Sequence, residues 1–387
     1  MAVASGVAVA NIYYNQPMLA DMARSMHAGS HEISYVATAT QIGYAVGMPL
    51  FIPLGDFFDR RKLIVSLFVA VACALSLAAL ASNLVWLTAA SVLIGATTVI
   101  AQILIPFAAE LATPEQQGRT IGTILSGVLL GILLARTLSG VVSSQLGWRA
   151  MFWLAAGMSL VFAAVLQRRL PMLRGKANMT YSAVMHSLWM LVAEFPKLRQ
   201  VCFVAGMFFA SFSAFWTTLI FLLEGAPFHM GSQAAGLFGL VGAVGAGIAP
   251  IAGRLSDTRS PRFVVRIAIA TVLAAFVVLW AGMTSVWALL LGVVLLDAGV
   301  QAAQVANQTR VFQIQPEARN RINTVYMIGY FGGGSLGSLL GSWMWSKWQW
   351  PGVCATGIGL MVLAAIGLVV RGPEQASART EAVQIRI

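Results

Sequence analysis

An all-α membrane protein of twelve membrane-spanning helices is the fold class this sequence predicts, and three observations predict it. Of its 387 residues, 59% are hydrophobic and only 10% charged, where a soluble domain carries about a quarter charged residues. Mean hydropathy is +0.82. Apolar runs of about 20 residues, the length that crosses the hydrocarbon of a bilayer, recur between short polar breaks along the whole chain. No stretch is long and polar enough to form a soluble domain, which excludes a single-span receptor.

In order, the runs fall near residues 1–23, 33–55, 63–82, 84–109, 120–145 and 149–167, then near 200–223, 232–253, 264–283, 285–308, 322–345 and 350–370. The first begins almost at Met1, but no basic stretch leads it and polar residues interrupt its centre, so it reads as a helix rather than a signal peptide. Orientation follows from the basic residues. With the N-terminus inside, the inner turns hold Arg60, Arg61, Lys62, Arg119, Arg168, Arg169, Arg254, Arg259, Arg262, Arg266 and Arg310, whereas the outer turns hold Arg24, Arg149 and Lys347. Both termini are then cytoplasmic, in an inner (plasma) membrane. The net charge of +11 is thereby a topology signal, and nucleic acid, which needs a solvated basic face, is not an expected partner.

The longest interruption divides the chain into residues 1–170, a central loop 171–198, residues 199–371 and a polar, disordered tail 372–387. Within the loop, Val184, Leu188, Leu191 and Val192 recur near helical spacing, which predicts an in-plane helix over 182–195.

The second half repeats the first. Pro114-Glu115 returns as Pro316-Glu317, Arg119 as Arg321, Ala101-Gln102 as Ala303-Gln304 and Trp148 as Trp350, each 202 residues on. The small-residue ridge Gly127, Gly131, Ala135, Ser139 has the counterpart Gly329, Gly333, Gly337, Gly341 at the same offset. Such ridges let helices approach closely in lipid. Two six-helix bundles of equal topology relate by a pseudo-twofold axis along the membrane normal.

The turn after the second run reads Leu54-Gly55-Asp56-Phe57-Phe58-Asp59-Arg60-Arg61-Lys62, and that after the eighth reads Gly253-Arg254-Leu255-Ser256-Asp257-Thr258-Arg259. With 6 + 6 spans and a basic central loop, these turns resemble the major facilitator superfamily of transporters over nearly the whole chain. The start, Asn11-Ile12-Tyr13-Tyr14-Asn15-Gln16-Pro17, is similar to a bacterial branch grouped with drug and sugar-efflux transporters. Against the family signature G-x-L-x-D-(R/K)-x-G-R-(R/K), Leu54, Asp56, Arg60 and Arg61 match, while Ile52, Phe57 and Asp59 depart; in the second copy Gly253, Leu255 and Asp257 match. The span-four pattern R-x-x-x-G has Ser91 ahead of Gly95, and the antiporter Gly-Pro of span five is Ala135-Arg136. The resemblance implies a secondary active transporter working by alternating access, with Asp56, Arg60, Arg61 and Asp257 at the inner gate and Asp56 docking near the start of span eleven when that gate closes. It favours proton-coupled efflux; uptake by symport is the alternative.

Ionisable side chains at mid-membrane are expensive and read first as functional. Arg136 lies about 11 residues from the outer end of span five and Asp297 about 12 from that of span ten, at similar depth. Three readings stay open for Arg136: a substrate group, a partner of Asp297, or a local structural tie. Asp297 is either the proton carrier or a packing hydrogen bond. Asp297, Gln301, Gln304 and Gln308 form one stripe on span ten. Asn11, Tyr14 and Asn15 in span one, Thr98 and Gln102 in span four, Phe212, Phe215, Trp216 and Thr217 in span seven, and Asn323, Tyr326 and Tyr330 in span eleven complete the candidate substrate site, each also readable as interhelical packing.

Asp21, Glu110 and Glu224 sit at span ends, where they reach interfacial water, and Gly236, Gly239, Gly242 and Gly245 in span eight read as packing or hinge residues without a phosphate loop. His27, His31, His186 and His229 lie outside the spans. Cys73, Cys202 and Cys354 lack metal-ligand spacing, so no metal and no cofactor are expected. An intramembrane enzyme needs a nucleophile and base paired in the bilayer, and a sensor needs an output domain; neither pattern is present in the sequence. A small solute, lipid and the proton are the expected partners of a monomer.

Overall fold

Proline and small polar residues decide where the membrane helices break. The computed structural model describes residues 1–113, 116–172, 180–314 and 319–370; Pro114-Glu115, Pro316-Glu317 and the tail lie outside them. Among the described residues every regular element is a helix: α1 (Ala2–Ala10), α2 (Asn15–Met26), α3 (Ser30–Ile33), α4 (Tyr35–Phe51), α5 (Leu54–Phe57), α6 (Arg60–Ala79), α7 (Leu84–Thr97), α8 (Ile100–Leu111), α9 (Gln117–Leu146) and α10 (Trp148–Arg169). The helix expected within the central loop is α11 (Tyr181–Glu194), and α12 (Pro196–Glu224), α13 (Ser232–Ala246), α14 (Ala249–Thr258), α15 (Pro261–Ala281), α16 (Val286–Phe312) and α17 (Arg319–Val369) follow.

Nine helical stretches among the described residues are long and apolar enough to cross a bilayer. The last of them, Arg321–Val369, covers the eleventh and twelfth expected runs. It breaks at Trp348 and Gln349, the latter at φ 52°, just before Pro351. The second expected run is α4, and the first is the pair α1 and α2.

That first run is therefore a correction: it is not one continuous helix. Pro17 has no N–H and its ring crowds the carbonyl four residues back, and residues 11–13 turn on tighter bonds, such as Ile12 N–H to Val9 O at 3.1 Å and Tyr13 N–H to Ala10 O at 3.0 Å. Span four breaks opposite it, between α7 and α8, and the two breaks are joined. The Asn11 amide donates to Thr98 Oγ1 at 3.1 Å, and the Thr98 hydroxyl donates to the Ala8 carbonyl at 3.0 Å.

The repeat is visible in packing. A Cβ added at Gly131 would overlap the Gly6 backbone, and one at Gly333, 202 residues later, would overlap that of Gly206. The ridges of spans five and eleven thus weld α9 to α1 and α17 to α12 in matching fashion. Outward faces carry large apolar side chains, among them Leu130, Leu134, Val161 and Trp153, as bilayer contact requires.

Between the halves, α9 packs on α13, α4 on α17, and α2 on α12. Hydrogen bonds across this seam gather toward the end where α2 finishes and α4 begins. Thr38 Oγ1 donates to Ser338 Oγ at 2.9 Å, Ser213 Oγ to Gln41 Oε1 at 3.3 Å, and Thr137 Oγ1 to the Gly236 carbonyl at 3.1 Å. Arg24 closes that end as an ion pair with Glu224, and it also holds Asp21, which accepts from Ser143.

Candidate functional site

Arg136 stands where α9 meets α13, and it is 1% exposed. A guanidinium cannot shed its charge by deprotonation, so burial demands compensation. Here aromatic faces provide it. The guanidinium carbon lies 4.0 Å from the Trp216 ring centroid, 5.0 Å from that of Tyr13 and 5.3 Å from that of Phe212. Such contacts are worth about 2 kcal/mol or more each once desolvated. Nε donates to Gln16 Oε1 at 2.9 Å, while Nη2 has no hydrogen-bond partner. The bend before α2 brings Tyr13 and Gln16 inward, and α12 presents Phe212 and Trp216 four residues apart on one face.

Asp297 is 7% exposed, and its Oδ2 has no partner. It feels the attraction of Arg136, yet no ion pair within 4.0 Å forms between them. The Trp216 indole lies beside the carboxylate, its Nε1 without a bond of good geometry. The glycines of α13 make the room. A Cβ at Gly239 would sit 2.9 Å from Arg136 Cβ, and one at Gly242 would sit 3.1 Å from Asp297 Cγ. These glycines are thus packing residues with a specific duty: one makes room for the stem of Arg136 and the other for the carboxylate of Asp297.

Among the other sequence-expected residues, Asn15 donates to Thr40 Oγ1 at 2.9 Å, and Asn11 and Asn15 both keep an unpartnered Oδ1. Tyr14 is buried in the core. Gln102 donates to Tyr44 OH at 3.3 Å, and Tyr330 OH to Gln304 Oε1 at 3.3 Å; Tyr330 stacks on Phe209 with centroids 4.1 Å apart. Gln301 is half-buried. Asn323 Oδ1 and the hydroxyl of fully buried Tyr326 have no partner.

At the opposite end, Asp56 pairs with Arg60 at 3.3 Å, and Arg60 also pairs with Glu110 and donates from Nε to the Gly55 carbonyl at 3.0 Å. Glu110 is thus paired with Arg60 and still 41% exposed, so it reaches water as expected. Asp59, which replaces a signature glycine, caps α6 by accepting from Lys62 N–H at 3.0 Å. Arg61 donates to the Leu170 carbonyl at 3.3 Å, and Asp257 is exposed.

One further correction concerns Arg310, expected in an inner turn. Because α16 continues to Phe312, Arg310 is 3% exposed, donating to Asn307 Oδ1 and Gln200 Oε1, each at 3.0 Å. Gln16, Tyr13 and Phe209 were absent from the expected site; the signal for the first two was their place within the polar start of span one.

The chain is 38% identical to the uncharacterized transporter YgaY of Escherichia coli O157:H7 over 370 residues, covering 96% of this chain and 93% of that one. It is 24% identical to a protein named "probable sugar efflux transporter" from Helicobacter pylori (strain G27), covering 84% and 82% of the two chains. A crystal structure of a mutant of the nucleoside transporter NupG superposes with a TM-score of 0.77 at 12% identity, over 95% of this chain and 97% of that one. The profile described as Major Facilitator Superfamily matches residues 1–312 and 201–386, and with it the paired bundles, the repeated glycine ridges and the acidic-basic turns place this chain in that superfamily of membrane transporters.

Proposed function

We propose that this transporter exports a small solute from the cytoplasm across a bacterial inner membrane in exchange for protons. It works as a monomer, rocking residues 1–170 against 199–371, with the face that bears Arg60, Arg61 and Lys62 in the cytoplasm. One observation carries the reading: Arg136 and Asp297 are buried where the halves meet, attract each other, and still leave Nη2 and Oδ2 open. A purely structural pair would close. Groups that stay open serve something that comes and goes. Asp297 is the buried carboxylate among the described residues, which makes it the proton carrier.

The seam is tied by Arg24 with Glu224 and by Thr38 with Ser338 at one end, while Asp56 and Arg60 bind within their own half at the other. This arrangement supports a state open toward the cytoplasm, ready to load. Export is favoured over uptake by the similarity to the Helicobacter protein named for sugar efflux.

The test uses proteoliposomes carrying a pH-sensitive dye and a panel of solutes. Exchange makes solute and proton movements opposite in sign. Movement of both in the same direction would establish uptake by symport instead, and proton flux unaltered in Asp297→Asn would remove that residue from coupling.

A further inference from the structure

The gap between Arg136 and Asp297 has a shape of charge that discriminates among solutes. Gly239 makes room for the aliphatic stem of Arg136 and Gly242 for the carboxylate of Asp297, and the two charges do not close to an ion pair. One group offers an open donor and the other an open acceptor. A solute bearing only an anionic group satisfies Nη2 but confronts the carboxylate; a cation meets the converse. A neutral sugar gives neither open atom a charged partner. Only a solute carrying both signs completes both ends.

The walls add a second requirement. From Tyr330 stacked on Phe209 at 4.1 Å, aromatic rings continue through Phe212, 5.5 Å from Phe209, to Trp216, 6.1 Å from Phe212. Flat apolar surfaces of this kind receive an apolar or aromatic group.

We propose that the solute is a zwitterion of the α-amino-acid class with an aromatic or large apolar side chain, its carboxylate on Arg136 Nη2 and its ammonium on Asp297 Oδ2. This rests on the transport reading above and deepens it. The ammonium and a proton then compete for one carboxylate, so loading the solute displaces the proton and the exchange is obligatory. The other groups facing Asp297 carry no negative charge that would compete for the ammonium: α9 presents Arg136, α17 the Tyr330 phenol, α12 the indole of Trp216 and α13 glycine.

The experiment is equilibrium binding to the full-length protein in detergent, by calorimetry and thermal shift. The probes are L-phenylalanine, L-tryptophan and L-leucine, each beside its N-acetyl and its amide derivative, with glucose as the neutral probe. The free amino acids are expected to bind, and blocking either end should weaken binding about tenfold or more, the loss of one charge-assisted hydrogen bond. In Asp297→Asn the N-acetyl derivative should match the free amino acid, and in Arg136→Gln the amide should match it. Equal binding of blocked and free forms by the unmodified protein overturns the proposal, as does binding of glucose with none of the amino acids. The blocked-ligand comparison needs no variant, so it decides the matter even where a variant fails to fold. Binding with no transport in proteoliposomes would defeat the transport reading alone. Transport of another solute with no amino-acid binding would defeat this proposal alone.

Discussion

Gln16 accepts the Nε hydrogen of Arg136 at 2.9 Å, and both side chains are buried, 2% and 1% exposed. The bond reaches from α2 to α9 within the first half and fixes the guanidinium plane against Trp216 of the second. Replacing Gln16 by Ala leaves a charged donor buried without a partner, which costs about 1.5–3 kcal/mol. Thermal unfolding of the purified variant should fall accordingly, and an unchanged midpoint would show that water substitutes for the amide.

Arg136→Lys keeps the charge and loses the planar fork. An ammonium cannot stack on Trp216 and also reach Gln16 in the same geometry, so solute binding should fall a little, whereas Arg136→Gln should weaken it further, by about tenfold or more. Titration of both variants checks the order. A lysine variant as weak as the glutamine one would mean that plane and bidentate geometry, not charge, do the recognition.

At the far end, Glu224→Gln removes one partner of Arg24. Arg24's side chain is 61% exposed, so the bond is worth about 1 kcal/mol at most, enough to shift a two-state equilibrium roughly fivefold. Spin labels placed on the ends of α2 and α12 should report a larger separated population, more marked in low salt than in high. Identical distance distributions in parent and variant would dismiss the pair as a gate.

Asp56→Asn should leave folding and solute binding near normal, because the Asp56 side chain is 61% exposed here and its bond to Arg60 is long at 3.3 Å. Transport should nonetheless be lost if, as the family resemblance implies, the acid holds this end closed in the other state. Efflux at the unmodified rate, at equal protein level in the membrane, would contradict this.

Gly242→Ala tests the seat of Asp297. The new methyl would stand 3.1 Å from Cγ, closer than most real contacts, so the carboxylate must move by a few tenths of an ångström. Weaker solute binding with an unchanged melting temperature is the expected result. Gly157, whose added Cβ meets nothing within 4 Å, serves as the control for alanine in a spanning helix.

Legibility in the sequence followed locality. The run expected over 120–145 lies within α9 (Gln117–Leu146), because a long apolar stretch is recognised locally even with Arg136 in its middle. The breaks at residues 11–14 and near Thr98 were hidden, since the bond that stabilises each comes from the other. Arg136 and Asp297 stood out as charges in apolar runs, but their relation did not. The rings that compensate Arg136 come from both halves, and the glycines that position the pair look like any small-residue ridge. Arg310 misled for a related reason: a basic residue near a helix end suits a turn and a buried last turn equally, and only its amide neighbours Asn307 and Gln200 distinguish them.

The aromatic cage around Arg136 belongs to two bodies. Tyr13 and Gln16 travel with the guanidinium, whereas Phe212 and Trp216 ride on α12 in the other half. If the halves rock as proposed, those two rings withdraw when the Arg24–Glu224 end parts, and water takes their faces. The cation would then be dry in one state and hydrated in the other, and each turnover would wet and dry the same side chain. In a variant that keeps Trp216 alone of the eleven tryptophans, its fluorescence, quenched or shifted as it leaves that charge, would follow the proposed rocking of the halves without any added label.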